Sequence, residues 1–100
     1  MQHFIVHITY RIPMEQLGEI VPRHRAFLQT GYERGWLLMS GPAADRSGGW
    51  VVCRAPSLAE LQAFFTADPY LTEQVADHAY IEFNPVKRQE FLEDWVTGNS

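Results

Sequence analysis

The sequence predicts one α+β domain whose main elements follow the order β-α-β-β-α-β, the split βαβ plan with a four-stranded antiparallel sheet. Three observations predict it. Apolar residues alternate with a period of two in short stretches, they recur at helical spacing in longer stretches, and Gly or Pro residues stand between these stretches. The 100 residues contain no internal repeat and no linker long enough to divide the chain.

The first strand and the first long helix are marked by periodicity and by proline. Residues 3–10 alternate, which predicts a strand with one side formed by Phe4, Val6, Ile8 and Tyr10. Pro22 suits the start of a helix, where its missing N–H costs no hydrogen bond. We expect this helix to run from Pro22 to about Arg34, with Gly35 as its left-handed cap.

Two short apolar runs predict a hairpin. The first, Trp36 to Ser40, is closed by Gly41-Pro42. The second, Trp50 to Arg54, is opened by Gly48-Gly49, which we interpret as part of the turn. We expect the intervening loop to be the most mobile part of the domain.

Two helices are expected between the hairpin and the last strand. Ser57 and Glu60 have the spacing of a capping box, which starts a helix. This helix should stop near Ala67, because a residue that precedes proline disfavours helical dihedrals. Asp68 then suits the N-cap, and Pro69 the first position, of a short helix that reaches about residue 75.

We expect a domain over residues 1–86 and a C-terminal extension over residues 87–100. Ala79, Ile81 and Phe83 alternate with Tyr80 and Glu82, which predicts a last core strand. The extension has apolar residues at helical spacing and is expected to form an amphipathic helix: Phe91, Leu92, Trp95 and Val96. Whether this helix docks on its own domain or on a partner chain stays open.

This split βαβ order of elements has a consequence for assembly. Helices cover one face of the four-stranded sheet and leave the other face without cover. An identical chain supplies that cover most simply. We therefore expect a homodimer or a higher homo-oligomer.

Composition excludes several classes of protein and of site. The 46% hydrophobic content is ample for a core, and Cys53, as a single cysteine, allows neither an internal disulfide nor a zinc or iron-sulfur cluster. The net charge of −4 argues against nucleic-acid binding, which depends on clustered Lys and Arg. The four histidines lack metal-ligand spacing, so we assign no metal and no cofactor. The first residues show neither a basic leader nor a long apolar run, so we expect a cytoplasmic protein without a membrane partner.

His24 is the first candidate functional residue. It lies in the inward stripe of the first helical region, where an apolar side chain is typical, among Leu17, Ile20, Val21, Phe27, Leu28 and Gly31. A buried imidazole costs free energy unless it is hydrogen-bonded. His24 is therefore either a core histidine bonded to a backbone carbonyl or an acid/base group at a site.

Asp68 is the second candidate, and it also has two interpretations. As a helix N-cap it performs ordinary capping chemistry that contributes about 1 kcal/mol. As a partner of His24 it would accept the N–H of one ring nitrogen, fix the tautomer and leave the other nitrogen facing a pocket. For His7 and His78, we favour exposed or edge-strand positions over positions near such a pocket.

Three segments together resemble the YCII-related (YciI-like) family: Val21–His24, Gly35–Pro42 and Ala67–Tyr70. The resemblance runs from about Phe4 to Val86. It implies a ferredoxin-like fold assembled as a dimeric α/β barrel. It also implies an active histidine and aspartate pair, at positions that correspond here to His24 and Asp68.

The resemblance and the candidate residues lead to a functional hypothesis. The chain would be a cofactor-independent enzyme that performs elimination, isomerisation or dehalogenation on a small cyclic or aromatic substrate. The activity associated with the family is dehydrochlorination of a chlorinated hydroxyquinol. Four residues are candidates for contact with the substrate: Ser40, Gly41, Pro42 and Tyr70. The first three also suit an ordinary strand end and turn, and Tyr70 also suits core packing. The alternatives are a non-catalytic dimeric ligand-binding or assembly module and a cofactor-free monooxygenase.

Overall fold

The computed structural model describes residues 1–98. Its four strands are β1 (Gln2–Tyr10), β2 (Leu37–Pro42), β3 (Gly48–Ala55) and β4 (Ala76–Phe83). Its α-helices are α1 (Ile20–Glu33), α2 (Leu58–Phe65), α3 (Pro69–Thr72) and α4 (Glu93–Thr97), with 3₁₀ turns at Met14–Gln16 and Glu90–Leu92. None of the helices within these residues is long and apolar enough to cross a bilayer.

The strands form one antiparallel sheet in the order β2-β3-β1-β4, the ferredoxin-like arrangement that the sequence predicts. β1 is central because it pairs with β3 on one side and with β4 on the other. Its alternation places Phe4, Val6 and Ile8 under the helices, where each is at most 2% exposed. The core continues into the neighbouring elements through Leu17, Val51, Cys53, Leu61 and Phe65.

The opposite face of the sheet is uncovered over most of its area and is apolar. We call it the open face and define it by Ile5, Met39, Trp50, Ile81 and Phe83. Met39, Trp50 and Ile81 are 56%, 42% and 49% exposed. Contiguous exposed apolar surface of this kind is typical of an interaction site.

Two predicted boundaries, one at the start of β3 and one at the start of α1, differ from the structure. Gly48 and Gly49 belong to β3 and not to a turn. A Cβ atom at Gly48 would lie 1.7 Å from the carbonyl oxygen of Ile8, and one at Gly49 would lie 2.9 Å from that of Gly41. These glycines therefore allow β3 to approach its two neighbours closely. The first helix also begins earlier than predicted, at Ile20, so that Pro22 lies within its first turn.

β4 differs most from its prediction. It begins at Ala76 and not at Ala79, because α3 ends at Thr72 and the chain turns at Gln74, which has a positive φ of 56°. The apolar residues that mark this strand in the sequence also do not all face the core. Ile81 and Phe83 belong to the open face, whereas Ala76, His78 and Tyr80 face the helices.

The C-terminal segment docks on its own domain, which answers the question that the sequence left open. The Arg54 guanidinium lies 5.1 Å from the centre of the Trp95 ring, and its Nη1 donates to the Trp95 carbonyl oxygen at 2.6 Å. The Trp95 ring also contacts the ring of His3. Because His3 and Arg54 are paired on the uncovered side of the sheet, the segment covers one end of that side.

Candidate active site

Asp68 is fully buried at the start of α3, where the chain turns from one helix into the next. Its Oδ1 accepts the backbone N–H of Tyr70 at 2.9 Å, as an N-cap does. The local sequence explains this placement, since Asp followed by Pro is a typical helix start. Capping uses only part of the carboxylate, which has further lone pairs to offer.

His24 projects from α1 to the same carboxylate oxygen. Its Nδ1 lies 2.7 Å from Oδ1 of Asp68, and its side chain is 9% exposed. An ionised carboxylate only accepts hydrogen bonds, so Nδ1 of His24 carries the proton and donates it. In the neutral ring Nε2 then holds a lone pair, and Nε2 makes no hydrogen bond to any of residues 1–98.

His78 lies at this carboxylate too, although the sequence analysis favours an exposed or edge-strand position for it. Its Nε2 lies 2.9 Å from Oδ2 of Asp68, and its side chain is only 3% exposed. β4 is indeed an edge strand, but the pairing of His78 with Ile8 turns the imidazole towards the helices. The missed signal was the alternation of Ala76, His78 and Tyr80, which becomes visible only when the strand is started at Ala76.

The carboxylate thus receives three donors and stays ionised. Burial would raise the pKa of Asp68, but the hydrogen bonds from His24, His78 and the Tyr70 backbone together lower it below its usual range. The remaining nitrogen of His78, Nδ1, is buried without a hydrogen-bond partner among residues 1–98. Nε2 is therefore the His78 nitrogen that donates to the carboxylate.

Tyr70 fixes the plane of the His24 ring. The two rings stack in parallel, with centres 3.7 Å apart and an interplanar angle of 7°. Tyr10 meets Tyr70 edge to face at 5.6 Å. Burial is the main cause that raises the pKa of Tyr70, and a hydrogen bond with Tyr10 is the next largest. The phenol of Tyr70 therefore stays protonated at neutral pH.

A cavity of about 330 Å³ opens against this arrangement. His24 and all four predicted contact residues line it, namely Ser40, Gly41, Pro42 and Tyr70, whereas Asp68 lies behind His24 and does not. The Ser40 hydroxyl is 2.7 Å from the hydroxyl of Tyr32, which also lines the cavity. The structure therefore brings the predicted residues to one place, with one imidazole at the cavity and one carboxylate behind it.

Other reactive groups do not contribute to this site. Burial raises the pKa of the Cys53 thiol to about 12, and Sγ points to the carbonyl oxygen of Phe4, so Cys53 behaves as a core residue. Within residues 1–98, no group of His, Cys, Asp and Glu side chains is arranged to hold a metal ion.

The fold and the cavity define a ferredoxin-like α+β domain with a buried histidine-aspartate pair at a small-molecule-sized pocket. The chain belongs to the YCII-related family, because the YCII-related domain model matches residues 1–84. The rest of the chain, including α4, lies outside that match.

Similar proteins support this assignment. Protein YciI of Escherichia coli O6:H1 is 32% identical over 79 residues, which are 69% of this chain and 81% of the relative, and Protein YciI of Shigella flexneri has the same values. A solved structure with a similar fold is 5-chloro-2-hydroxyhydroquinone dehydrochlorinase (TftG) from Burkholderia phenoliruptrix AC1100 in complex with 2,5-dihydroxybenzoquinone. That comparison has a TM-score of 0.64 at 18% identity and covers 88% of this chain and 93% of the other.

Proposed function

We propose that this chain is a cofactor-independent enzyme of small-molecule chemistry in which His24 transfers a proton to or from a ligand in the cavity. The observation that carries the proposal is the 2.7 Å contact between Nδ1 of His24 and Oδ1 of Asp68 at the wall of that cavity. A neutral imidazole with one nitrogen held and the other available is the usual form of a general base. Asp68 is then a positioning residue, since it acts through His24.

The chemistry proceeds from the available nitrogen. Nε2 of His24 takes a proton from the ligand, and the positive charge that develops on the ring is stabilised by the carboxylate of Asp68. In an elimination or dehalogenation, the electron pair released by proton removal expels the leaving group. In an isomerisation, the same proton returns to a different atom. Such a group contributes about 10²- to 10⁴-fold in rate.

The surrounding groups suit a small cyclic or aromatic substrate. The stacked ring of Tyr70 keeps the His24 ring in one plane, and the hydroxyls of Ser40 and Tyr32 offer polar contacts at the cavity wall. The neighbour with the same fold is named for a reaction on a chlorinated hydroquinone, which falls within this substrate class. These features support dehalogenation or a related proton transfer as the reaction class.

The proposal includes a homodimer formed through the open face. Burial of large apolar side chains such as Trp50 and Ile81 by a second copy would remove contiguous apolar surface from water. Sedimentation equilibrium at micromolar concentration should give twice the mass of the chain, and the Ile81→Glu variant should shift the equilibrium to monomers. A wild-type monomer throughout the concentration range would contradict this part.

A second candidate function is a non-catalytic ligand-binding module. It is favoured by the position of Asp68, which ties α1, α3 and β4 together and would stabilise the fold without any reaction. In that case the cavity would bind a ligand and leave it unchanged.

The His24→Asn variant separates these candidates. The asparagine amide can still donate to Asp68 from about the position of Nδ1, but it has no counterpart of Nε2. Chloride release from 5-chloro-2-hydroxyhydroquinone, followed with an ion-selective electrode, should fall by about 10²- to 10⁴-fold relative to wild type. The thermal unfolding temperature serves as the control and should change little.

Two outcomes would count against the enzyme proposal. Equal chloride release by wild type and His24→Asn would remove His24 from the reaction. Release no faster than in buffer, together with binding of the compound by both proteins, would favour the binding module.

A further inference from the structure

Arg25 brings a positive charge to the cavity. It directly follows His24 in α1 and lies on the cavity-lining stripe of that helix, with Val21, Leu28 and Tyr32 at helical spacing. Among the lining residues described, none is a carboxylate, and Arg25 is the permanently charged one. The cavity wall is therefore positive in a chain whose net charge is −4.

The two arginines that flank His24 differ in their partners. The Arg23 guanidinium lies 3.6 Å from Glu19 and 3.5 Å from Glu73, so acids of the same chain neutralise it. Arg25 forms no hydrogen bond or ion pair with another side chain in residues 1–98. An unpaired guanidinium beside a cavity whose described lining holds no carboxylate has its planar set of donors free for a ligand.

The charge of Arg25 acts on the ring that stacks on His24. Burial is the main influence on Tyr70 and raises its pKa, and the positive charge of Arg25 opposes that rise. Because Arg25 and His24 line the same cavity, a ligand that contacts the guanidinium would also lie near the proposed base. Most of the remaining wall is apolar or aromatic, with Ile8, Met14 and Leu28 as examples, which suits a planar ring.

We propose that the cavity selects planar aromatic anions, such as aromatic carboxylates and phenolates, and that Arg25 is the residue that determines this specificity. The proposal rests on the function proposed above, because the anion would be the substrate of His24. The guanidinium holds the anionic group, and the ring is directed towards Nε2 of His24. Contact with the guanidinium also orients the ring, so that one edge is presented to the base.

Benzoate and benzamide test the proposal, because they share a planar ring and similar size but differ in charge. Isothermal titration calorimetry at pH 7 and low salt should show wild type binding benzoate about 3- to 10-fold more tightly than benzamide. Arg25→Met, which keeps an unbranched side chain without charge, should bring this ratio close to one. Arg25→Lys should retain part of the preference.

Arg23→Met is the matched control. It removes the same charge from the same helix, but at a position outside the cavity wall, so the preference for benzoate should stay at the wild-type value. Equal affinity of wild type for both probes, or benzoate binding too weak to measure, would overturn the proposal. So would a preference that survives Arg25→Met, or one that Arg23→Met removes as completely.

The same measurements separate this proposal from the one on which it rests. His24→Asn should keep the preference for benzoate, because selecting a charge needs no proton transfer. A preserved preference without turnover by the wild type would contradict only the enzymatic function. Turnover in a wild type that shows no preference for anions would contradict only the role of Arg25.

Discussion

The two sides of the Asp68 carboxylate carry the same type of side chain in different surroundings. On the Oδ1 side, His24 lines a cavity, and its second nitrogen makes no hydrogen bond within residues 1–98. On the Oδ2 side, His78 is enclosed, and its second nitrogen is buried without a partner. Contact with a buried carboxylate therefore does not by itself define a general base, because access to the other nitrogen decides what the imidazole can do.

Because the two histidines differ in their access to the cavity, replacing Asp68, His24 or His78 should have different effects on folding and on chemistry. Asp68 is common to both sides, so its loss should affect folding and chemistry together. His24 should matter for chemistry far more than for folding. His78 should matter for folding far more than for chemistry, because no ligand in the cavity meets its free nitrogen directly.

The largest expected effect on stability follows from Asp68→Asn, which tests whether the shared carboxylate supports both sides. The amide replaces one acceptor by a donor, so at least one histidine must change tautomer or lose its bond. Urea unfolding at pH 7 should show a loss of about 2–4 kcal/mol in the free energy of unfolding. Turnover should fall as well, because His24 loses the group that orients it.

The pH dependence of that loss provides the control. The pKa of Asp68 is lowered in the folded chain, so its contribution is fully present above the ordinary carboxyl pKa of about 3.9. This contribution to stability is lost as the pH falls through the pKa of Asp68 in the folded chain, which is the lower of the two. The stability difference between wild type and Asp68→Asn should therefore shrink below about pH 4. If the difference in the free energy of unfolding stays constant down to the pH at which the chain unfolds, the charge of Asp68 is not the source of the difference.

Local signals in the sequence predict much of this fold and one side of the site. The capping of α3 by Asp68 and the amphipathic stripe of α1 around His24 involve neighbours in the chain, so their patterns can be read directly. The pairing of these two residues, which are 44 positions apart, was expected because a buried imidazole needs a partner and because the family resemblance named one.

The parts that could not be predicted depend on contacts between distant strands. His78 faces the helices because β4 pairs with β1 in a register that sets it opposite Ile8, and a shift of one residue would turn it outwards. The close approach at Gly48 likewise depends on the carbonyl of Ile8. The docking of Trp95 on Arg54 requires two segments that are 41 positions apart to meet. Of these contacts, only the facing of His78 leaves a local pattern, the alternation of Ala76, His78 and Tyr80, and that pattern does not fix where β4 begins.

The smaller expected effect, and the sharpest test of the comparison, comes from His78→Leu. Leucine fills most of the space but leaves Oδ2 of Asp68 without its donor, so the free energy of unfolding should fall by about 1–3 kcal/mol. The folded fraction should still turn over substrate within about tenfold of wild type, because Nδ1 of His24 keeps its bond to Oδ1. Steady-state kinetics below the unfolding temperature, combined with urea unfolding, measure both quantities.

His78→Gln, whose amide N–H can reach Oδ2 from about the position of Nε2, should recover most of the stability. If His78→Leu instead lost as much turnover as His24→Asn while remaining fully stable, the buried nitrogen would be the reactive one, and the roles inferred from access to the cavity would have to be exchanged.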